Sequence, residues 1–213
     1  TGHSSTVWAL AVLDAGRLAS GSGDKTVKIW DVAGISAGKG YVDMSTVDVA
    51  TSKAIAAARC VATLEGHRSP VYALAVLDAG RLASASCDCT VKIWDVAAAR
   101  CVATLEGHSG RVMALAVLDA GRLASASYDT TVKIWDVAAE RCVATLEGHS
   151  SCVHGLAVLD AGRLASASYD STVKIWSFEC KANDETKESS KGNRNVSQAN
   201  ATETNESSMG NPK

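Results

Sequence analysis

The stretch LASASYDTTVKIWD, residues 123–136, occurs four times in this 213-residue chain with only a few letters changed. The other copies are LASGSGDKTVKIWD (18–31), LASASCDCTVKIWD (82–95) and LASASYDSTVKIWS (164–177). Each copy follows a Gly-His pair, and the pairs are Gly2-His3, Gly66-His67, Gly107-His108 and Gly148-His149. The last three pairs are 41 residues apart. Self-similarity at this period predicts a propeller or another repeat array.

One repeat divides into four short strands. Val112–Leu118 is an apolar run that is too short for a typical helix and suits a strand buried on both faces. Asp119-Ala120-Gly121 predicts a tight turn into the strand Arg122–Ser127, because Gly can adopt the positive φ that a hairpin needs. The β-branched and aromatic run Thr131–Trp135 and the run Cys142–Leu146 supply two more strands. Four antiparallel strands per repeat form one propeller blade.

The Gly-His start, the Ser-x-Ser-x-Asp turn and the Trp-Asp end resemble the WD40-repeat (WD-repeat) β-propeller family in order and spacing, over about residues 2–177. The resemblance implies an all-β chain with a WD40-type β-propeller in residues 1–177. The expected blades are about 2–65, with an inserted loop at about 34–58, then 66–106, 107–147 and a partial blade at 148–177. The last copy departs from the pattern at Ser177, and Asp-Ala-Gly stands where the family usually has Pro-Asp-Gly.

Two segments lie outside the repeats. The insertion falls between the third and fourth strands of blade 1, which places it on the bottom rim; Thr51–Arg59 could form a short helix there. A tolerated loop and a second contact surface both stay open for it. Residues 178–213, rich in Asn, Ser, Thr, Glu and Lys, predict a disordered polar tail that carries three glycosylation sequons, at Asn195, Asn200 and Asn205.

The predicted blades do not complete a ring. Three repeats contain all four strands, whereas the fourth stops near Ser177. Unpaired outer strands are adhesive edges, and terminal repeats of an array need capping. We therefore expect an incomplete ring, which is an open arc, a part of a larger propeller, or a ring that other copies close.

Every repeat also holds a His, a Ser and an Asp, which are the components of a hydrolase triad. Their repetition argues against catalysis, since a catalytic set is normally needed once. In the family that the chain resembles, these residues and a Trp form a structural tetrad inside each blade, where buried polar groups must satisfy one another. The implied tetrads are His3, Ser20, Asp24 and Trp30; His67, Ser84, Asp88 and Trp94; His108, Ser125, Asp129 and Trp135; and His149, Ser166, Asp170 and Trp176.

The seven cysteines, an odd number, are interpreted as reduced intracellular thiols. Cys60, Cys101 and Cys142 recur at one repeat position, which favours packing. Cys87 and Cys89 form a C-x-C pair in one copy only, and no second Cys/His pair has a convincing spacing for a metal site. No metal, cofactor or catalytic residue is therefore expected.

Charge and hydropathy exclude two classes of partner. The net charge of −2 and the absence of a basic cluster argue against nucleic acid. The longest apolar runs are far too short to cross a bilayer, which argues against membrane insertion. The expected location is cytoplasmic, with the nucleus as the alternative.

The copies differ mainly after each Gly-His pair and in the turn between the second and third strands. In the family, these segments lie on one rim, the top rim, where propellers bind partners. The implied partner-binding residues are Thr6, Trp8, Gly23, Pro70, Tyr72, Cys87, Arg111, Met113, Tyr128, Cys152, His154 and Tyr169. Aromatic, Met and Arg residues are enriched in interface cores. Loop tips that vary without constraint, or aromatics that cover a blade edge, are the competing interpretation.

The leading prediction is a non-enzymatic scaffold that binds a protein or peptide on the top rim. Family analogy extends it to an adaptor or substrate receptor in a signalling or ubiquitin-ligase complex. One alternative is a duplicated repeat fragment of a larger WD40 protein with no independent function. Another is a hydrolase that uses one His/Ser/Asp set. Self-association, or blades supplied by the rest of a longer chain, would complete the ring.

Overall fold

The computed structural model describes residues 2–14, 16–33, 58–78, 80–119, 121–160 and 162–177. These residues contain strands and turns but no helix, and so no helix that could cross a membrane. Three predictions fall wholly or almost wholly outside them: the inserted loop at 34–58, the short helix at 51–59, and the polar tail at 178–213 with its sequons.

The described strands form four antiparallel sheets, one for each repeat, which we call blades 1 to 4. Blade 1 contains β1 (Val7–Asp14), β2 (Arg17–Ser22), β3 (Val27–Asp31) and β4 (Arg59–Leu64). Blade 2 contains β5 (Val71–Val76), β6 (Arg81–Ser86), β7 (Val91–Asp95) and β8 (Arg100–Leu105). Blade 3 contains β9 (Val112–Val117), β10 (Arg122–Ser127), β11 (Val132–Asp136) and β12 (Arg141–Leu146). Blade 4 contains β13 (Val153–Asp160), β14 (Arg163–Ser168) and β15 (Val173–Ser177).

Within each blade the strands pair in chain order, each antiparallel to the next. In blade 3, for example, Leu123 of β10 lies opposite Val117 of β9 on one side and Trp135 of β11 on the other. Strand β10 is buried on both faces, which explains its small alternating residues, Ala124, Ser125 and Ala126. The first hairpin of this blade is closed by Asp119, whose carboxylate accepts hydrogen bonds from the backbone N–H groups of Gly121 and Arg122.

Neighbouring blades pack through apolar side chains that belong to both. Between blades 2 and 3 the core contains Val91, Ile93 and Leu105 from blade 2, and Val112, Leu123 and Trp135 from blade 3. The same repeat positions form the cores between blades 1 and 2 and between blades 3 and 4. The first strands β1, β5, β9 and β13 contact one another in that order, which places them on the inside of the array.

The blades form an arc that does not close within the described residues. Among the described blades, blade 1 packs against blade 2 and leaves its other face exposed, and blade 4 packs against blade 3. The prediction of an all-β array with three four-stranded blades, one three-stranded blade and an incomplete ring is therefore confirmed for the part of the chain that the structure describes.

Candidate functional site

The two variable segments of each repeat meet at one end of the blade. The backbone N–H of the turn residue donates to a carbonyl in the segment that follows the Gly-His pair: Gly23 to Thr6 at 2.8 Å, Cys87 to Pro70 at 2.9 Å, Tyr128 to Arg111 at 2.9 Å, and Tyr169 to Cys152 at 3.0 Å. Antiparallel strands place successive connections at opposite ends, so all four pairs lie on one rim. We keep the name top rim for this edge.

Two aromatic side chains meet on the top rim between blades 1 and 2. The rings of Trp8 and Tyr72 are 5.7 Å apart between centroids and pack edge to face. Trp8 is 55% exposed. Gly23 allows this arrangement because a Cβ atom there would lie 2.7 Å from Ser5 Oγ and 3.4 Å from Trp8 Nε1. We call Trp8 and Tyr72 the first aromatic cluster.

A second aromatic cluster spans blades 3 and 4 and consists of Arg111, Tyr128, His154 and Tyr169. The Tyr169 ring lies 6.4 Å from that of Tyr128 and 4.7 Å from that of His154. The guanidinium carbon of Arg111 lies 5.7 Å from the centre of the Tyr128 ring, within cation–π range. Burial and the neighbouring Tyr169 raise the pKa of Tyr128, so its phenol keeps its proton at neutral pH. Tyr169 is 63% exposed.

Six of the twelve predicted top-rim residues thus have side chains in these two clusters. Thr6, Gly23, Pro70, Cys87 and Cys152 join the rim through the backbone hydrogen bonds above. Met113 is half-buried at the start of β9, two residues after Arg111. The structure therefore places the predicted residues on one rim, and the side chains of six of them form two separate clusters there.

The C-x-C pair lies in the turn between β6 and β7. Burial and the neighbouring Cys87 and Asp88 raise the pKa of the Cys89 thiol. The described residues include no group of three His, Cys, Asp or Glu side chains arranged to hold a metal ion.

The structure also brings together every predicted tetrad. In blade 3, His108 Nδ1 lies 2.6 Å from Asp129 Oδ2, and His108 Nε2 lies 2.7 Å from Ser125 Oγ. The indole Nε1–H of Trp135 donates to the same Ser125 Oγ at 2.7 Å. The equivalent distances in the other three blades are all between 2.7 and 2.8 Å, apart from 2.6 Å between His149 and Asp170.

The aspartate is the centre of the top-rim turn. Asp129 Oδ1 accepts from the backbone N–H and the hydroxyl of Thr131, while Oδ2 accepts from the backbone N–H of Ser109 as well as from His108. Burial opposes ionisation of Asp129, but the hydrogen bonds from His108 and Thr131 outweigh it and hold the pKa of this carboxyl well below its usual value. The fixed carboxylate thereby connects the tetrad to both variable segments.

A threonine in each blade also bonds to the tetrad, and it was not among the predicted site residues. Thr26, Thr90, Thr131 and Thr172 bond to the tetrad aspartates in the same way. The signal was present, because an Asp-x-Thr pattern occurs at this position in every copy.

The tetrad has the connectivity of a Ser-His-Asp triad but lacks access for a substrate. Ser125 is completely buried, and the indole N–H of Trp135 occupies one face of its hydroxyl oxygen. A nucleophile must reach the scissile carbonyl, and a residue enclosed between two blades does not. The contacts thus support bracing of the blade, because the described residues contain no buried side-chain N or O atom without a partner.

Comparison with known proteins identifies the repeats. The family model described as WD domain, G-beta repeat matches residues 1–31, 58–95, 99–136 and 140–177. Among similar proteins are the ribosome biogenesis protein YTM1 of Vanderwaltozyma polyspora, 31% identical over 94 residues, and a ribosome biogenesis protein WDR12 homolog of Drosophila persimilis, 35% identical over 97 residues. Protein tipD of Dictyostelium discoideum is 34% identical over 116 residues.

These matches cover 44–45% of this chain and 19–21% of the relatives, so the chain spans about a fifth of their length. None of these three names describes an enzyme, a signalling protein or a ubiquitin ligase. The predicted role in a signalling or ubiquitin-ligase complex and the predicted cytoplasmic location therefore receive no support from them, and two of the names point to ribosome biogenesis instead.

Proposed function

This chain belongs to the WD40-repeat family, and from that premise we propose that it is a non-enzymatic scaffold that holds a segment of a partner protein on its top rim. We further propose that the partner belongs to an assembly that serves ribosome biogenesis, and that the chain acts in the nucleus. The names of two relatives support this assignment.

The exposed aromatic clusters are the observation that carries the proposal. Nearly identical repeats keep their tetrads and vary at the positions where Trp8, Tyr72, Tyr128 and Tyr169 lie. Two of these rings, those of Trp8 and Tyr169, are more than half exposed, although the exposure of aromatic surface to water is energetically unfavourable. Hydrogen bonds from buried groups hold the turns beneath them, so a partner meets a surface that is already ordered.

The chemistry of the rim suggests what it binds. Ring faces accept apolar side chains, the phenol of Tyr128 is a hydrogen-bond donor, and Arg111 offers one positive charge beside it. A single arginine is too few for a phosphate pocket, where several converge. The segment that fits is an uncharged or mildly acidic stretch of protein with one or two large apolar residues.

Affinity capture with the full chain tests this proposal. Proteins captured by the wild type from a nuclear extract are quantified against those captured by Tyr128→Ala/Tyr169→Ala and by Trp8→Ala/Tyr72→Ala. Loss of two interface aromatics weakens binding by roughly 30- to 1,000-fold when each contributes about 1–2 kcal/mol. Val143→Ala is the matched control, because Val143 is also exposed and lies on the outer strand β12, away from the rim.

Equal capture by all four proteins would contradict a top-rim site. If capture depends on the top rim but recovers no ribosome-assembly factor, the scaffold proposal stands and the proposed link to ribosome biogenesis is refuted. If the wild type captures nothing above background, the alternative of a repeat fragment without independent function is supported. The hydrolase alternative has a separate test. If the wild type hydrolyses p-nitrophenyl acetate and Ser125→Ala abolishes this hydrolysis, the hydrolase alternative is supported.

A further inference from the structure

Each blade has two different faces, and three pairs of them meet inside the chain. The front face points to the preceding blade and includes Val71, Leu82 and Trp94 in blade 2. The back face points to the following blade and includes Val27, Ile29 and Leu64 in blade 1. Front and back faces of the same composition pair between blades 2 and 3 and between blades 3 and 4.

The front face of blade 1 has no partner within the described residues. Val7, Leu10 and Val12 of β1 are 45%, 63% and 71% exposed. Val71, Val112 and Val153 occupy the same repeat position as Val7 and are completely buried. The residues do not differ in type, so the contrast arises because no blade formed by the described residues covers β1.

Among the residues that the structure describes, the back face of blade 4 is uncovered in the same way. Val173 of β15 is 64% exposed, whereas the equivalent Val27, Val91 and Val132 are completely buried. Ala165, Ala167 and Ile175 are half-buried on this face, although their counterparts in blade 3 are buried. Contiguous exposed apolar surface of this kind marks an interaction site.

We propose that these two free faces bind each other between two copies of the chain, the back face of blade 4 in one copy packing on the front face of blade 1 in the other. The faces match because they repeat the residues of three interfaces that already form. Ala85 and Ala126, for example, are buried in the same cores as Val112 and Val153, respectively. Ala167 occupies the same position in blade 4 and would receive Val7 of the second copy.

Two copies, rather than an extended fibre, fit the number of blades that closed propellers contain. Pairing of unlike faces forms either a closed ring or an open filament, according to the rotation per subunit. Four blades in each copy make eight in a pair, and closed propellers contain about four to eight blades. Both pairs of free faces are then buried. This interface is independent of the proposed top-rim site, since none of the rim clusters lies on it.

Sedimentation velocity of the full chain tests the pairing. The wild type is expected to be a dimer of about 44 kDa, twice the 22.0 kDa of one chain. Val7→Asp and Val173→Asp each put a charge on one free face and should weaken association by at least about 100-fold, because a buried, unpaired charge is strongly unfavourable. Val143→Asp on the outer strand is the control and should remain dimeric. Far-ultraviolet circular dichroism verifies that each variant is folded.

Mixing the two variants provides a sharper outcome. A Val7→Asp copy and a Val173→Asp copy retain one unaltered pair of faces between them, so the mixture should recover a 44 kDa species that neither variant forms alone. Dimers of Val173→Asp alone would refute pairing of unlike faces. A wild type that stays at 22.0 kDa at concentrations up to about 100 μM, or a ladder of larger species, would overturn the closed pair.

Discussion

Replacement of Ser125 by alanine is the most direct test of the tetrad. The hydroxyl of Ser125 accepts the indole N–H of Trp135 and bonds to His108 Nε2, each at 2.7 Å, and the serine is completely buried. Ser125→Ala leaves both of these polar groups without a partner and inaccessible to water. An orphaned buried group costs about 1–3 kcal/mol, so the variant, with two such groups, should lose roughly 2–6 kcal/mol of unfolding free energy.

Urea unfolding followed by tryptophan fluorescence measures this loss. Ser109→Ala is the control in the same blade, because Ser109 is exposed and bonds to Asp129 through its backbone N–H, which alanine retains. The control should change stability by less than about 0.5 kcal/mol. Trp135→Phe removes the orphaned N–H, so its effect should be smaller in the Ser125→Ala background than alone. A loss below about 0.5 kcal/mol for Ser125→Ala would refute the assigned role of the tetrad hydrogen bonds.

Three further predictions concern the same blades. Burial opposes ionisation of the four tetrad aspartates, Asp24, Asp88, Asp129 and Asp170, but hydrogen bonds outweigh it and lower the pKa of each. The unfolded chain therefore binds protons before the folded chain as the pH falls, so the urea midpoint should be constant above about pH 5 and decrease below about pH 4. An unchanged midpoint at pH 3 would contradict this. Gly107→Ala places a side chain at φ 146° with its Cβ 3.4 Å from Trp135, and should lower the unfolding free energy by about 1–3 kcal/mol. Gly80→Ala is the control: a Cβ there meets nothing within 4 Å, so the unfolding free energy should not decrease. Trp135→Ala should lower the unfolding free energy by about 3–5 kcal/mol through the cavity it leaves, and Trp8→Ala, at an exposed position, by much less. Equal losses in thermal unfolding would refute the distinction between a structural tetrad residue and a top-rim residue.

The sequence by itself determined the blade. Apolar runs, turn residues and β-branched segments specify strands locally, and their repetition at a fixed period specifies how often the unit occurs. The strand Arg122–Ser127 was predicted at its observed bounds, and β11 begins and ends one residue later than expected. The same repetition indicated that His108, Ser125, Asp129 and Trp135 act together, because letters that persist in every copy share a common environment.

Only the tertiary structure decided which blade faces are buried and which side chains meet between blades. Val7 and Val71, or Val173 and Val132, are the same residue at equivalent repeat positions, yet one of each pair is exposed and the other completely buried. Burial there depends on whether another sheet packs against the face, which no local pattern encodes. Likewise, the sequence showed that the positions of Tyr128 and Tyr169 vary between copies, but only the packing of blade 4 on blade 3 brings their rings into contact.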